Sequence, residues 1–479
     1  SFFWNTITGF CIILFIATVA SLFLPLGSIY VQLALLIPAI IFNRKQPDFF
    51  RHLKSALPKI NILRVLLFCM LLLSLAMHSW TINHPDTLDY HQETIGWISR
   101  LKAITGLAYI NHRFGYGGSW YIMCSLFSFH FAELKALTFI NIAVPVWFML
   151  FFLKKADESW NKKNFVSTGI ILAIILCFLV FSLLRLALVS ASPDFIASLF
   201  ILLIFYYTLT GGKNLYFLSL LSATAIVIKL FALPIVMILA LQSLLQIKKN
   251  PVRTLLNALL FITLISPFIA RNIITTGYAI FPHPALLVTN NPHTLPAERV
   301  QYEKDYIKAY NRFPVNYSDQ REVKRVATLP LNEWIPKWWT TKTITDKIFL
   351  TICFVSFITL LILTKRIIRE RRPELLFCVI TTFCGVLFWF YNAPEIRLGG
   401  GYLLAMPVLV ILSFSGVNES FKKITFRVTQ IATLMLILVI TLYTAYRFVY
   451  YCDSESLISP KGSAVQIKYN EERLNKIPY

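Results

Sequence analysis

The chain has 479 residues, of which 57% are apolar and 14% charged, proportions that exclude an ordinary soluble globular protein. Its apolar runs, among them Phe10 to Leu24, Ile170 to Leu184 and Leu434 to Tyr443, are nearly unbroken, whereas barrel strands alternate in hydrophobicity, so a transmembrane barrel is excluded as well. Lys and Arg number 45 against 23 acids, a net charge of +22; in a helical membrane protein such an excess marks cytoplasmic loops, and no nucleic-acid partner is expected from it.

The N-terminal run Phe2 to Leu24 lacks the basic start of a cleavable signal and is soon followed by a second apolar run, so it is expected to be a span. Apolar stretches at 3–24, 28–43, 62–80, 135–153, 165–187, 194–210, 215–229, 231–247, 253–271, 346–364, 374–391, 399–416 and 427–450 predict about thirteen transmembrane helices, a crossing needing roughly 20 residues. The expected architecture is an all-α polytopic membrane protein. It has N-terminal transmembrane helices in 1–80, a first extracytoplasmic loop with short interfacial helices in 81–134 and a transmembrane core in 135–271. A second extracytoplasmic loop in 272–345, C-terminal transmembrane helices in 346–450 and an extracytoplasmic tail in 451–479 complete it.

Four basic loops set the sides: Arg44 to Arg64, Lys154 to Lys163, Lys248 to Arg253 and Lys365 to Arg372 belong in the cytoplasm. The threading closes only if the apolar stretch Tyr116 to Phe129 lies at the interface without crossing. The eight cysteines lie mostly inside apolar runs and in none of the spacings of zinc or haem sites, so they read as small core residues, with no disulfide expected.

The first outer loop is the most informative segment. On a helix, Asp86, Tyr90, Glu93 and Trp97 share one face, and Asp89 stands four residues before Glu93. Carboxylates clustered beside aromatics at a lipid–water boundary suit a general base, because partial burial and like charges raise a carboxylate pKa. The structural alternative is that Asp86 is an N-cap and Asp89 an acid of the first turn. His91, Glu93 and the downstream pair His112–Arg113 could gather a divalent cation, His91 and Glu93 foremost, but their spacing matches no specific metal site and none is expected from it.

Farther on, Ser192-Pro-Asp194 opens a span and reads first as N-cap, N1 proline and dipole-compensating acid. Lys229 interrupts the apolar run Ala223 to Leu233, where a cation is costly unless it is paired, meets an anion or snorkels. Trp334, Trp338 and Trp339 in the second outer loop read as an interfacial belt or, with Tyr302, Tyr306, Tyr310 and Tyr317, as surfaces on which a sugar or an extended acceptor stacks.

Asp86-Thr-Leu-Asp-Tyr-His91 resembles the D-x-x-x-Y-H motif in the first extracytoplasmic loop of GT-C-type glycosyltransferases and related multi-pass bacterial proteins. Gly106-Leu-Ala-Tyr-Ile-Asn-His-Arg-Phe-Gly-Tyr-Gly-Gly-Ser-Trp120 is similar to the family's G-L-x-x-x-x-x-R-x-x-x-x-S-x-F segment. Pro267-Phe-Ile-Ala-Arg-Asn-Ile-Ile-Thr-Thr-Gly277 resembles its P-x-x-x-R-N-x-x-x-x-G motif, and Pro394-Glu-Ile-Arg-Leu-Gly-Gly-Gly-Tyr402 its P-x-x-R-x-x-x-G-Y turn between two late spans. The resemblance implies a bacterial inner-membrane enzyme, active at the extracytoplasmic face, that takes a sugar from a polyprenyl-phosphate donor and transfers it, with inversion, to a glycan, lipid or protein acceptor. It implies Asp86 as the base, with Asp89 second; Lys229, Arg271 and Arg397 as the donor-phosphate site; and Tyr90, His91, Glu93, His112, Arg113 and Asp194 as positioning residues.

Two other readings stay open. A transporter of a lipid-linked substrate needs a polar path, and the spans carry few ionisable residues, Arg185 and Lys229. A non-catalytic subunit that keeps the transferase fold within a larger membrane complex is the other.

Overall fold

Apolar runs of this length must satisfy their backbone amides and carbonyls internally, which in a bilayer only helices or closed barrels achieve. In the structure, a computed structural model, they are helices. It describes residues 2–44, 51, 54–55, 57–78, 86–128, 139–160, 165–177, 181, 187–414 and 419–451. Among these there is no strand, only an isolated bridge between Tyr278 and Leu287.

The helices are α1 Phe2–Ala20, α2 Ile29–Arg44, α3 Asn61–His78, α4 Gln92–Arg100, α5 Ser119–Leu126, α6 Phe139–Trp160, α7 Phe165–Cys177, α8 Asp194–Leu209 and α9 Leu215–Ile228. They continue with α10 Val236–Ile247, α11 Pro251–Thr276, α12 Ala297–Arg312, α13 Gln320–Thr328, α14 Leu331–Thr341, α15 Ile344–Arg369, α16 Pro373–Asn392, α17 Ile396–Ser413 and α18 Glu419–Tyr451. Among the described residues, eight helical stretches are long and apolar enough to cross a membrane: Phe2–Ala20, Phe139–Ser159, Leu230–Ile247, Pro251–Thr276, Ile344–Arg369, Pro373–Asn392, Ile396–Ser413 and Phe426–Tyr446. The chain is an all-α polytopic membrane protein. α3, α8 and α9 are shorter apolar helices that coincide with further expected spans. Arg185 and the tail beyond Tyr451 lie outside the described residues.

The chain divides into two compact units, each discontinuous in sequence: Ser1–Lys102 with Trp120–Ile196 and Phe414–Tyr479, and Ala103–Ser119 with Ala197–Ser413. The expected first loop is therefore shared between the two units. In the first unit α6 packs on α3 and α7, and α18 covers α3 and α7. Asp157, near the end of α6, accepts the backbone amides of Lys59 and Ile60, each at 2.9 Å. It thereby fills the donors left over at the start of α3, and Lys154 stands 3.6 Å from the same carboxylate. The stretch Tyr116 to Phe129 was expected at the interface. Its helix, α5, has only eight residues, too few to cross, and its side chains are buried inside the protein.

In the second unit α9 packs on α11, and α15 and α16 pack on α17. The small helices α12 to α14 form a knot around Arg312. Its Nη1 donates to the carbonyls of Val326 (2.7 Å), Ala327 (3.2 Å) and Leu329 (3.3 Å), which ends α13, and its guanidinium lies 4.6 Å from the Trp334 ring. Trp334 is fully buried against Phe390, and Trp338, 6% exposed, donates from Nε1 to the Pro394 carbonyl at 2.8 Å. The tryptophans are thus not an interfacial belt or a stacking surface: two of the three are the core between α14 and the α16–α17 turn, and only Trp339 is exposed.

Candidate functional site

Each unit holds a buried polar cluster, and the residues singled out in the sequence divide between them. In the first unit the segment before α4 is not an ordinary helical turn: Thr87–His91 is a π-turn, with Asp86 in helical conformation and no side-chain capping bond. The capping explanation for Asp86 therefore fails. Extra residues of this kind inside helices recur at functional sites, because they re-aim the side chains on one turn.

Here the turn directs Thr87 and His91 inward while Asp89 stays exposed. Thr87 Oγ1 lies 2.7 Å from Ser190 Oγ and 3.2 Å from His91 Nδ1. The His91 ring stands 4.4 Å from that of Tyr90 and 5.1 Å from that of Tyr121. Tyr121 is buried on α5. Burial pushes its phenol well above the usual range, Tyr90 hydrogen-bonds to it, and the charges of Asp194 and Asp86 push it further up. Two carboxylates from distant parts of the chain therefore act on one buried hydroxyl.

Asp194 is 4% exposed at the start of α8. Its amide points to Ser192 Oγ at 3.4 Å, so Ser192 caps as the local sequence suggests. The turn is held from behind: Asn141 donates to the Ser192 carbonyl at 2.9 Å and accepts from Trp120 Nε1 at 2.8 Å. Glu93 is half-buried and Trp97 buried on α4. Among the described residues no three His, Cys, Asp or Glu side chains are grouped to hold a metal ion, and His91 Nδ1 is taken up by Thr87. The cation suggested for His91 and Glu93 thus has no fitting donor set.

In the second unit His112 does not serve a metal either. Its Nε2 lies 3.0 Å from Glu303 Oε2, and its ring stacks on Tyr317 at 5.0 Å. Glu303 is fully buried on α12. It accepts from the hydroxyls of Tyr116 and, at 3.3 Å, Tyr317. This acid was not singled out in the sequence, where nothing near it in the chain marks it. Burial raises the Tyr317 phenol, and the charge of Glu303 adds to the effect. Arg113, beside His112, acts on the Tyr306 phenol.

Lys229 does not sit inside a continuous helix. α9 stops at Ile228, Lys229 is extended (φ −153°, ψ 123°), and a 3-10 turn, Leu230–Ile235, leads into α10. The adjoining backbone of Gly118 is so close that a Cβ there would lie 2.7 Å from the Ile228 carbonyl oxygen. α11 runs five residues past the expected end of its span, to Thr276. Gly277, at φ 90°, stops it, a conformation that glycine adopts without strain. Arg271, on this helix, is 5% exposed.

Arg397 is not in a turn but in the first turn of α17, half-buried. The helix dipole disfavours a cation there, so helix stability does not explain its presence. The glycines that follow it are a packing face: added Cβ atoms would meet Trp389 at Gly399 and Ile201 at Gly401. The turn itself is pinned by Trp389 Nε1 on the Glu395 carbonyl (2.7 Å) and by Lys342 on the Glu395 carboxylate (3.1 Å).

No curated protein and no solved structure matches the chain. Residues 1–404 match the family described as Domain of unknown function (DUF8201), and the chain belongs to that family.

Proposed function

We propose that the protein is a GT-C-type glycosyltransferase of a bacterial inner membrane, with about thirteen spans and its active face extracytoplasmic. It moves a sugar from a polyprenyl-phosphate donor to a glycan, lipid or protein acceptor. The observation that carries this reading is the environment of Asp86: it adjoins a π-turn, lacks a capping role, and acts with Asp194 on the buried Tyr121 hydroxyl. A partly buried acid in polar surroundings suits proton transfer.

In the proposed reaction the Asp86 carboxylate takes the proton of the acceptor hydroxyl. The hydroxyl oxygen attacks the anomeric carbon from the face opposite the phosphate, the carbon–oxygen bond to phosphate breaks, and configuration inverts. Charge grows on the departing phosphate, and Lys229, Arg271 and Arg397 neutralise it. Tyr90, His91, Glu93, His112, Arg113 and Asp194 orient the reactants. No step requires a metal.

The test is transfer from polyprenyl-phosphate-linked sugars by purified protein. Asp86→Asn is expected to lower turnover by about 10²–10⁴-fold, while Asp89→Asn, at an exposed position, changes it by less than about twofold. Equal, small losses from both would sink the assignment of the base. A folded Asp86→Asn variant that still supports assembly of a larger membrane complex would favour the non-catalytic subunit.

A further inference from the structure

Glu303 takes no part in the chemistry above. Its carboxylate is fully buried and engaged by His112, Tyr116 and Tyr317. A buried ionic cluster is often no more stabilising than apolar packing of the same volume, so stability alone does not call for an acid at this position. What the acid fixes is the course of a loop. Tyr116 opens the run Gly117–Gly118, and Gly118 lies against another element where a side chain would not fit. A Cβ on Gly117 would make an ordinary contact with Asn272 Oδ1 at 3.4 Å, but one on Gly118 would stand 2.7 Å from the Ile228 carbonyl oxygen. Gly115, just before, is packed on Phe281 and Thr276.

Ile228 is the last residue of α9, and Lys229 follows it in extended conformation. There the regular helical ladder is interrupted: Lys229 N–H still donates to Ala225 at 3.1 Å, and Ala232 N–H turns back to the Lys229 carbonyl at 2.9 Å. The glycine loop is therefore a wall against which the break rests, and Glu303 anchors that wall through Tyr116.

We propose that Glu303 is a positioning residue that holds Lys229 in register for the donor phosphate, acting through Tyr116 and the Gly117–Gly118 backbone. This rests on the transferase reading above. The same physics predicts how its loss reads out. Lys229 gains most of its effect as charge builds on the leaving phosphate, so a displaced lysine costs turnover more than ground-state binding.

The experiment uses the full chain in lipid nanodiscs with a panel of polyprenyl-phosphate-linked hexoses and pentoses. Glu303→Gln, nearly isosteric, is expected to lower kcat about 10- to 100-fold with donor KM changed less than about threefold. Tyr116→Phe, which deletes one hydroxyl and keeps the ring, shifts kcat in the same direction by less. In a Lys229→Ala background, Glu303→Gln lowers kcat by no more than about twofold further, because both changes act on one interaction. Without substrate, amide hydrogen exchange across residues 226–232 is faster in Glu303→Gln than in the unaltered protein.

Additive losses from Glu303→Gln and Lys229→Ala with unchanged exchange at 226–232 would overturn the proposal and leave the transferase reading standing. If the unaltered protein transfers none of the sugars while exchange at 226–232 still responds to Glu303→Gln, the transferase reading falls and the link between Glu303 and the break stands.

Discussion

In the first unit two carboxylates, Asp86 and Asp194, act on one buried phenol, that of Tyr121. In the second, two phenols and an imidazole converge on one carboxylate, that of Glu303. The ingredients are the same and the stoichiometry is reversed. Burial and the neighbouring acids keep the first group, the Tyr121 phenol, in its neutral form. An acid surrounded by donors has its charge satisfied, and such a centre is suited to holding chain segments together.

The contrast can be broken most directly by activity. Asp86→Asn should abolish most transfer, by about 10²–10⁴-fold, and leave thermal unfolding in detergent shifted little. A large fall in stability instead would make the first cluster structural too. In the second cluster stability should fall together with turnover. Glu303→Ala, which strands His112 and two phenols in a buried site, should cost about 3 kcal/mol of stability, measurable as a lowered midpoint of thermal unfolding. A Glu303→Ala protein as stable as the unaltered one would mean the cluster holds nothing.

A smaller effect comes from alkaline pH. The phenols of Tyr121 and Tyr317 are both raised by burial and neighbouring acids. Below about pH 10, the ordinary tyrosine value, folded and unfolded chains both keep these protons and stability is full. Above it the unfolded chain ionises first, and stability falls as pH rises towards the folded values. Tyr317→Phe should flatten that decline in thermal unfolding between about pH 10 and 12. A decline unchanged by the substitution would assign the alkaline sensitivity to other groups.

The helices could be read from the apolar runs alone, because a bilayer leaves such runs few other structures to adopt. All thirteen predicted stretches contain helical residues where the chain is described, and eight helical stretches are long and apolar enough to cross. One interruption was legible and one was hidden. The expected spans 215–229 and 231–247 already part at Lys229, where the helix ends, whereas the turn Thr87–His91 is a backbone event with no residue signature of its own.

The site was half visible for a similar reason. Asp86, Asp89 and His91 stand together in the chain, so their pattern could be noticed. Glu303 meets Tyr116 across a separation of 187 residues, and on the polar helix α12 it looks like any surface acid. Burial also reversed the expectation for Trp334, which packs against Phe390 and the Arg312 guanidinium, residues far from it in the chain.

Tyr402 closes the account of the broken helix. Its hydroxyl donates at 3.0 Å to the carbonyl of Ala232, in the irregular turn that follows Lys229, across a separation of 170 residues. Its ring occupies the space that a side chain on Gly385 would need, within 2.4 Å of a built Cβ. Positions 232, 385 and 402 are therefore tied together through one side chain. In a saturation library, single replacements at 385 are expected to fail unless position 402 shrinks with them. Lineages that lose the tyrosine hydroxyl are expected to straighten the chain at 229 or to recruit another donor for the orphaned carbonyl.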